Sequence, residues 1–361
     1  MSLDTQRDPV ARVLTPPPIL TPDEIDAYAA LRTDAVWWEA QGHWSSFRGD
    51  KAVDALNGLI TNDVSTLEIG QGMLAAALTA KGKMVCDMIV IRTDETTLLM
   101  TVLSTAAPAW LALTRKYVNP RLCKVTDESA RYRTWMMYGA RSAPAIAALG
   151  GADATAENLG DAMVSMLEQW PTWRHAPWNL GRVSVRLIRA PLMGSRPGFV
   201  LMADAEDAEL VQARFESAPL RKGTRNTWNV CRVEAGRPAI GLDMDENTIP
   251  QEANLDSLGA ISFNKGCYTG QETVARVHFR GHVNRHLRGL MATAPMPQGA
   301  EVFDGSGKAV GDVRSSVISP RLGPIAMAMI RREVAPGDTV FVVGDRDPIE
   351  ARVLALPFPS E

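Results

Sequence analysis

The chain has 361 residues, of which 38 are basic and 41 acidic, so its formal net charge is -3. That length supports two or three domains with sizeable cores and needs no covalent staple, while the near-balanced charge argues against a dedicated nucleic-acid binder. The four cysteines, Cys86, Cys123, Cys231 and Cys267, form no CxxC pair and no zinc-type spacing; with no secretion signal or bilayer-length apolar run, the expectation is a soluble cytoplasmic protein in a reducing compartment.

Residues 1–20 read as a Pro-rich tail. The first helix starts at TPDEIDAYAALR, where Thr21 caps, Pro22 fits the first helical position and Glu24 closes a capping box, with Ile25, Tyr28 and Leu31 as its apolar stripe. Two short strands near 36–40 and 44–48 precede a helix over 50–60, and TND at 61–63 ends it in a turn. MLAAALTA, KGK and MVCDMIVIRT predict a β-hairpin, followed by the strand TLLMTVL and a helix over 106–117. Strands near 121–126 and 131–138, a helix over 143–149, strands at VSVRLIRA and GFVLMA, and a helix over 204–217 follow. TWNVCRVEAGRP reads as a helix stopped at Gly236 with Pro238 beyond it. From Leu287 onward, short strands with Gly and Pro turns predict a C-terminal β-barrel. Helices mixed with hairpin-joined strands define an α+β fold, divided at about 21–140, 141–286 and 287–361, with the first two units free to interleave.

Three stretches carry candidate chemistry. In MVCDMIVI, strand alternation places Val85, Asp87, Ile89 and Ile91 on one face, so an acid sits in an apolar row and needs a partner, either an internal arginine or amide or a ligand. In the helix before Gly236, Glu234 shares the buried stripe with Val230 and Val233. Its carboxylate suits two parallel N–H donors, from an arginine or from an amidine-like ring edge. In SFNKGCYTGQE, Thr269 and Glu272 form a T-x-x-E capping signature, with Gly270 and Gln271 between them. Cys267 then lies just before a helix N-terminus and two residues after Lys265, an electropositive setting that favours thiolate. Gly266 and Gly270 allow positive φ, and Tyr268 completes the loop.

Beyond it, RVHFRGHVNRHLR holds Arg276, Arg280, Arg285 and Arg288 and three of the five histidines, with no acid. An anion patch or a solvated linker fits it better than a metal site. Walker A, Rossmann, GxSxG and HExxH signatures are absent. The nine tryptophans read mostly as core, with one or two available to stack on a flat ligand.

KGCYTGQE, together with RVEAGRPAIGLDMDENTIPQEANLD before it and VARVHFRGHVNRHLRGL after it, resembles the YgfZ-type, folate-binding branch of the glycine-cleavage T-protein (aminomethyltransferase) superfamily. YAALR and FRGDKAVDALNGLITNDVSTLEIGQGMLAAALTAKGKMVCDMIV resemble that superfamily's opening domain. The resemblance implies a three-domain ring-like α+β protein with a central tetrahydrofolate cavity and a C-terminal barrel. It also implies a role in assembling or repairing iron-sulfur clusters of client enzymes, including those of tRNA thiomodification. Cys267 would be the functional thiol, through transient iron or cluster binding, redox exchange or client contact, with Lys265, Gly266, Tyr268, Gly270, Gln271 and Glu272 shaping its loop. Asp87 would lie by the folate nitrogens and Glu234 at the pterin edge, with Arg276 or Arg285 available to the glutamate tail. The residue before Asp87 is Cys86 where the T-proteins carry a second acid, which sets aminomethyl transfer second. The implied partners are folate and iron-sulfur client or assembly proteins, with no direct nucleic-acid or membrane contact. A folate-sensing module without chemistry is the third reading.

Overall fold

The computed structural model describes residues 14–150, 157–344 and 347–359. The helix Pro22–Ala30 forms as its sequence dictates: Thr21 and Glu24 complete the capping box, and Pro22 occupies the first turn, a cap of this kind being worth about 1 kcal/mol. Its buried face differs from the expected stripe. Glu24, Ala27, Tyr28 and Leu31 turn inward, whereas Ile25 is 44% exposed, because the helix packs through Glu24 and Tyr28 onto partners that lie some 200 residues away.

Two sheets and a barrel make up the molecule. The first sheet is antiparallel, in the order Gly72–Leu78, Met84–Arg92, Thr97–Leu103, Gly42–Arg48, Lys124–Asp127. Helices Ala52–Asn57 and Ala107–Tyr117 cover one face through Leu56, Trp110 and Leu113 against Phe47, Met88 and Val90. The second sheet runs Arg221–Lys222, Val36–Ala40, Tyr132–Tyr138, Gly198–Asp204, Val183–Arg189, His175–Leu180. Strands from before and after residue 140 thus share one sheet. Helices Ser142–Gly150, Glu157–Gln169 and Ala208–Ser217 pack on its outer side.

The inner faces of both sheets meet the helix Arg225–Glu234 and the outside of the barrel in one central core. Ile89 and Ile91 come from the first sheet, Val36 and Val200 from the second, Val230 and Val233 from the helix, and Leu287, Val317 and Met327 from the barrel. The barrel is closed by six strands, Arg285–Ala292, Gly323–Arg331, Ala309–Ser319, Glu301–Phe303, Thr339–Val342 and Ile349–Leu354, around its own core of Leu290, Val302, Ile330 and Val353.

Some elements depart from expectation. The helix over 50–60 is only Ala52–Asn57. The helix Glu157–Gln169 and the strand His175–Leu180 were not anticipated. That strand carries Pro177, which is tolerated because the strand is an edge of its sheet. The tryptophans are largely core: Trp37, Trp38, Trp44, Trp110, Trp135 and Trp170 are all buried. No described helix is long and apolar enough to cross a membrane.

Candidate functional site

The strand Met84–Arg92 carries Asp87 on the face turned toward the central core. A bulge opposite Ala77 and Leu78 makes Val85 the extra residue, so that Met84 pairs with Leu78 and Cys86 with Ala77. Val85 consequently packs with Cys86, Met88 and Val90 against the helices, and Met84 joins the opposite side. This corrects the expected face: the bulge breaks the alternation two residues before Asp87.

Asp87 meets Arg237, whose Nη2 donates to Oδ2 at 3.1 Å, with each side chain 13% exposed. Burial pushes the Asp87 carboxyl above its ordinary range, with Arg237 opposing that shift. A second arginine stands behind the first. Arg232 donates to the Arg237 carbonyl at 3.1 Å, to Asp243 at 2.7 Å and to Ser315 of the barrel at 2.7 Å. The internal arginine weighed for Asp87 is therefore present, supplied by the residue just after the EAG stretch.

Glu234 closes a separate network. Its Oε1 accepts from the Tyr28 hydroxyl at 2.6 Å and from the Ser319 hydroxyl at 2.6 Å, and its Oε2 accepts from Arg196 at 2.8 Å. The first helix, the barrel and the loop after Arg189 are thus tied to one carboxylate, which is 3% exposed. Burial, reinforced by Glu234, pushes the Tyr28 hydroxyl up to about 12, so it stays a donor. The parallel N–H pair expected at a pterin edge is here replaced by three protein donors. Both oxygens are engaged by protein donors, so Glu234 ties the first helix, the loop after Arg189 and the barrel together.

The loop around Cys267 is stitched to the turn at 57–62. Ser262 N donates to Thr61 O at 3.0 Å, Thr61 Oγ1 to Ala260 O at 2.6 Å, Asn62 Nδ2 to Gly259 O at 2.9 Å, and Thr269 N to Gly58 O at 3.0 Å. Lys265 is buried, and its ammonium donates to the carbonyls of Asn57, Ile60 and Asn62 at 2.7, 2.8 and 2.7 Å. Burial pulls its pKa down to about 8. Tyr268 is buried in a cluster with Leu78, Met84 and Val274, its ring 5.1 Å from the Lys265 ammonium, and burial pushes its hydroxyl up to about 12. Cys267 lies between these two anchors with its side chain exposed, whereas Cys86, Cys123 and Cys231 are buried.

Several expectations for this loop are corrected. The T-x-x-E cap does not form. The helix is Gln271–Arg280 behind Gly270 at φ 83°, without a side-chain cap, because Thr269 is drawn to Gly58 and the exposed Glu272 pairs with Arg276 at 2.6 Å. Lys265 spends its three N–H donors on backbone carbonyls rather than on the thiol. Gly266 has neither positive φ nor a close neighbour. Gly270 does require glycine: a Cβ there would lie 2.5 Å from Thr79 O and 3.0 Å from the Gly82 Cα. The KGK turn of the hairpin therefore packs directly on the start of the helix, where Thr273 Oγ1 also donates to Lys81 O at 3.0 Å.

Arg285 is likewise occupied, by both oxygens of Glu252 at 2.9 and 3.3 Å. With Arg276 held by Glu272, neither arginine expected for an anionic tail stands free. The side chain of Arg280 lies outside the described residues. His278 stacks on Phe263 with ring centroids 3.6 Å apart, and no group of three metal-ligating side chains occurs among the described residues. Sequence reasoning missed Arg237, Arg196, Tyr28, Ser319, Thr61 and Asn62. A signal existed for two of them, since TN in the turn places short side chains where backbone carbonyls need tying.

A closed six-stranded barrel beside two sheets whose inner faces share one core, with acids and arginines at the junction, matches a known architecture. Residues 27–265 match the family model for the GCVT N-terminal domain, and residues 285–359 match the glycine cleavage T-protein C-terminal barrel domain. The chain belongs to the glycine cleavage T-protein family. Within it, the chain is 29% identical over 321 residues to the tRNA-modifying protein YgfZ of Edwardsiella ictaluri, covering 87% of this chain and 89% of that one. It is 30% identical over 318 residues to an aminomethyltransferase of Thermosynechococcus vestitus, covering 86% and 81%. The crystal structure of the glycine cleavage system aminomethyltransferase T from Bartonella henselae superposes with a TM-score of 0.78 at 21% identity, over 92% of this chain and 89% of that one; at that identity the likeness speaks for the fold.

Proposed function

We propose that this chain plays a YgfZ-type role: it supports tRNA modification by maintaining iron-sulfur clusters in the modifying enzymes, working through Cys267 and binding tetrahydrofolate. The observation that carries the reading is the presentation of Cys267. Of four cysteines it alone is exposed, on a loop held from both sides by Lys265 and Tyr268. A thiol displayed on a pinned loop suits brief contact with iron, a cluster or a client protein, which a buried thiol does not. The cysteines do not gather as a cluster site would need: Cys86 and Cys123 are buried in the core of the first sheet, Cys231 in the central core, and Cys267 is exposed. Relatives named tRNA-modifying protein YgfZ support the reading.

Of the two carboxylates expected to grip a folate, Asp87 fits and Glu234 does not. The Asp87–Arg237 pair is largely buried and has one carboxylate oxygen without a side-chain donor, whereas both oxygens of Glu234 already accept from side chains. Asp87 and Arg237 would hold the pterin; when bound, tetrahydrofolate supplies nucleophilic ring nitrogens able to carry one-carbon units. The test is complementation of a deletion strain. Cys267→Ser that restores full iron-sulfur enzyme activity and full tRNA thiomodification under oxidative stress removes the thiol from the role. Calorimetry with tetrahydrofolate is expected to show binding lost in Asp87→Asn; binding untouched by that change moves the folate elsewhere.

Aminomethyl transfer is the second reading. It is favoured by burial raising the Asp87 carboxyl, the direction in which a carboxylate becomes a better proton acceptor, and by the aminomethyltransferase relatives. Methylene-tetrahydrofolate formed from an amino-methyl donor by the parent protein, and not by Asp87→Asn, would establish it.

A further inference from the structure

We propose that Lys265 is the positioning residue of Cys267, acting as the cation of a three-carbonyl cage that locks the thiol's loop to the turn at 57–62. The proposal rests on the reading of Cys267 as the working thiol. An ammonium has three donors and no acceptor, and here each donor meets a different backbone oxygen, those of Asn57, Ile60 and Asn62, at 2.7–2.8 Å. Asn57 ends the helix Ala52–Asn57, so one of the three carbonyls is among those a helix C-terminus leaves without partners, where positive charge is favoured, and the other two belong to the turn beyond it.

The lock has a clear lever. Lys265 and Cys267 are two residues apart, and the next anchors in either direction are Ser262 on Thr61 O and Thr269 on Gly58 O. Both of those join the same turn, so every tie holding this loop to 57–62 converges on one short segment. Without the ammonium, three buried carbonyls lose a charged donor, and the stretch 263–268 keeps only the rings of Phe263, stacked on His278, and Tyr268 as inward anchors. A guanidinium does not substitute. Its donors fan out in a plane from three nitrogens, whereas the cage converges on a single one.

The cage and direct activation of the thiol by the lysine charge predict different results. Amide hydrogen exchange over 262–269 and the pH profile of Cys267 alkylation are to be measured on the full chain, as parent and as Lys265→Ala. Loop exchange is expected to rise by about ten-fold or more, the least that losing charge-assisted bonds of this kind would produce. The alkylation midpoint should stay in place. Added methylammonium, which fits the space the side chain vacates, should restore slow exchange in Lys265→Ala and leave the parent unchanged. Unrestored exchange in folded Lys265→Ala overturns the cage, and an alkylation midpoint shifted upward with loop exchange unmoved assigns the lysine to thiol activation instead. Should Lys265→Ala fail to fold, Lys265→Met keeps the buried stem, and loop exchange equal to the parent's would refute the proposal. All of these readouts are independent of client enzymes, so a Cys267→Ser strain with normal clusters would sink the functional reading and leave the cage standing.

Discussion

Glu234→Ala tests the tie between the first helix, the loop at Arg196 and the barrel. The parent carboxylate takes three donors, one of them a guanidinium, and its side chain is 2% exposed against 22% for Arg196. Hydrogen bonds to a charged group contribute about 1.5–3 kcal/mol each, but three donors on one carboxylate are not additive. Breaking a buried pair by removing one partner costs about 3–5 kcal/mol, and that is the expected loss for Glu234→Ala. Glu234→Gln retains the shape and an acceptor for Tyr28 and Ser319, but offers Arg196 no charge, so a smaller loss of about 1–2 kcal/mol is expected. Equilibrium urea unfolding followed by tryptophan fluorescence measures both, with tetrahydrofolate affinity measured in parallel. Stability within about 0.5 kcal/mol of the parent in both variants, the level of a neutral surface change, together with collapsed folate affinity, would refute the tie and restore Glu234 to the pterin.

His175 links the two sheets: its Nε2 lies 3.0 Å from Arg92 O and its Nδ1 3.0 Å from Arg186 Nη1. With the arginine donating to Nδ1, the imidazole is neutral and donates from Nε2, and burial pulls its pKa from 6.5 to about 4. The unfolded chain therefore binds the extra proton between pH 6.5 and 4, and stability falls as pH drops through that window by about 3 kcal/mol; urea midpoints against pH should flatten in His175→Gln. A native-state thiol titration should find one reactive cysteine per chain and four after unfolding, because three of the four are buried. Gly270→Ala should destabilise by about 1–3 kcal/mol, since it combines φ 83° with a Cβ 2.5 Å from Thr79 O, whereas Gly266→Ala, with open space around it, should leave thermal stability unchanged.

Most of what was legible in the sequence obeys rules that act within a few residues. The capping box at Thr21 and Glu24, the stop at Gly236 and the hairpin around KGK all form as their residues require. The six barrel strands follow the Gly and Pro punctuation from 285 onward. Local rules also misled, wherever a distant partner outbid a near one. Thr269 carries a cap signature but binds Gly58, 211 residues away, and a single bulge turned Val85 away from the face of Asp87.

Sequence by itself determined the type and order of most elements, the α+β class, and the short list of acids, lysine and cysteine singled out as candidates. Only the tertiary structure decided what each of them does. Glu234 is claimed by Tyr28, 206 residues earlier, and by Ser319, 85 residues later; Lys265 is spent on carbonyls more than 200 residues away. A buried charge is satisfied by whichever donors or acceptors the fold brings within 3 Å. Residue type and spacing state only that such a partner is required.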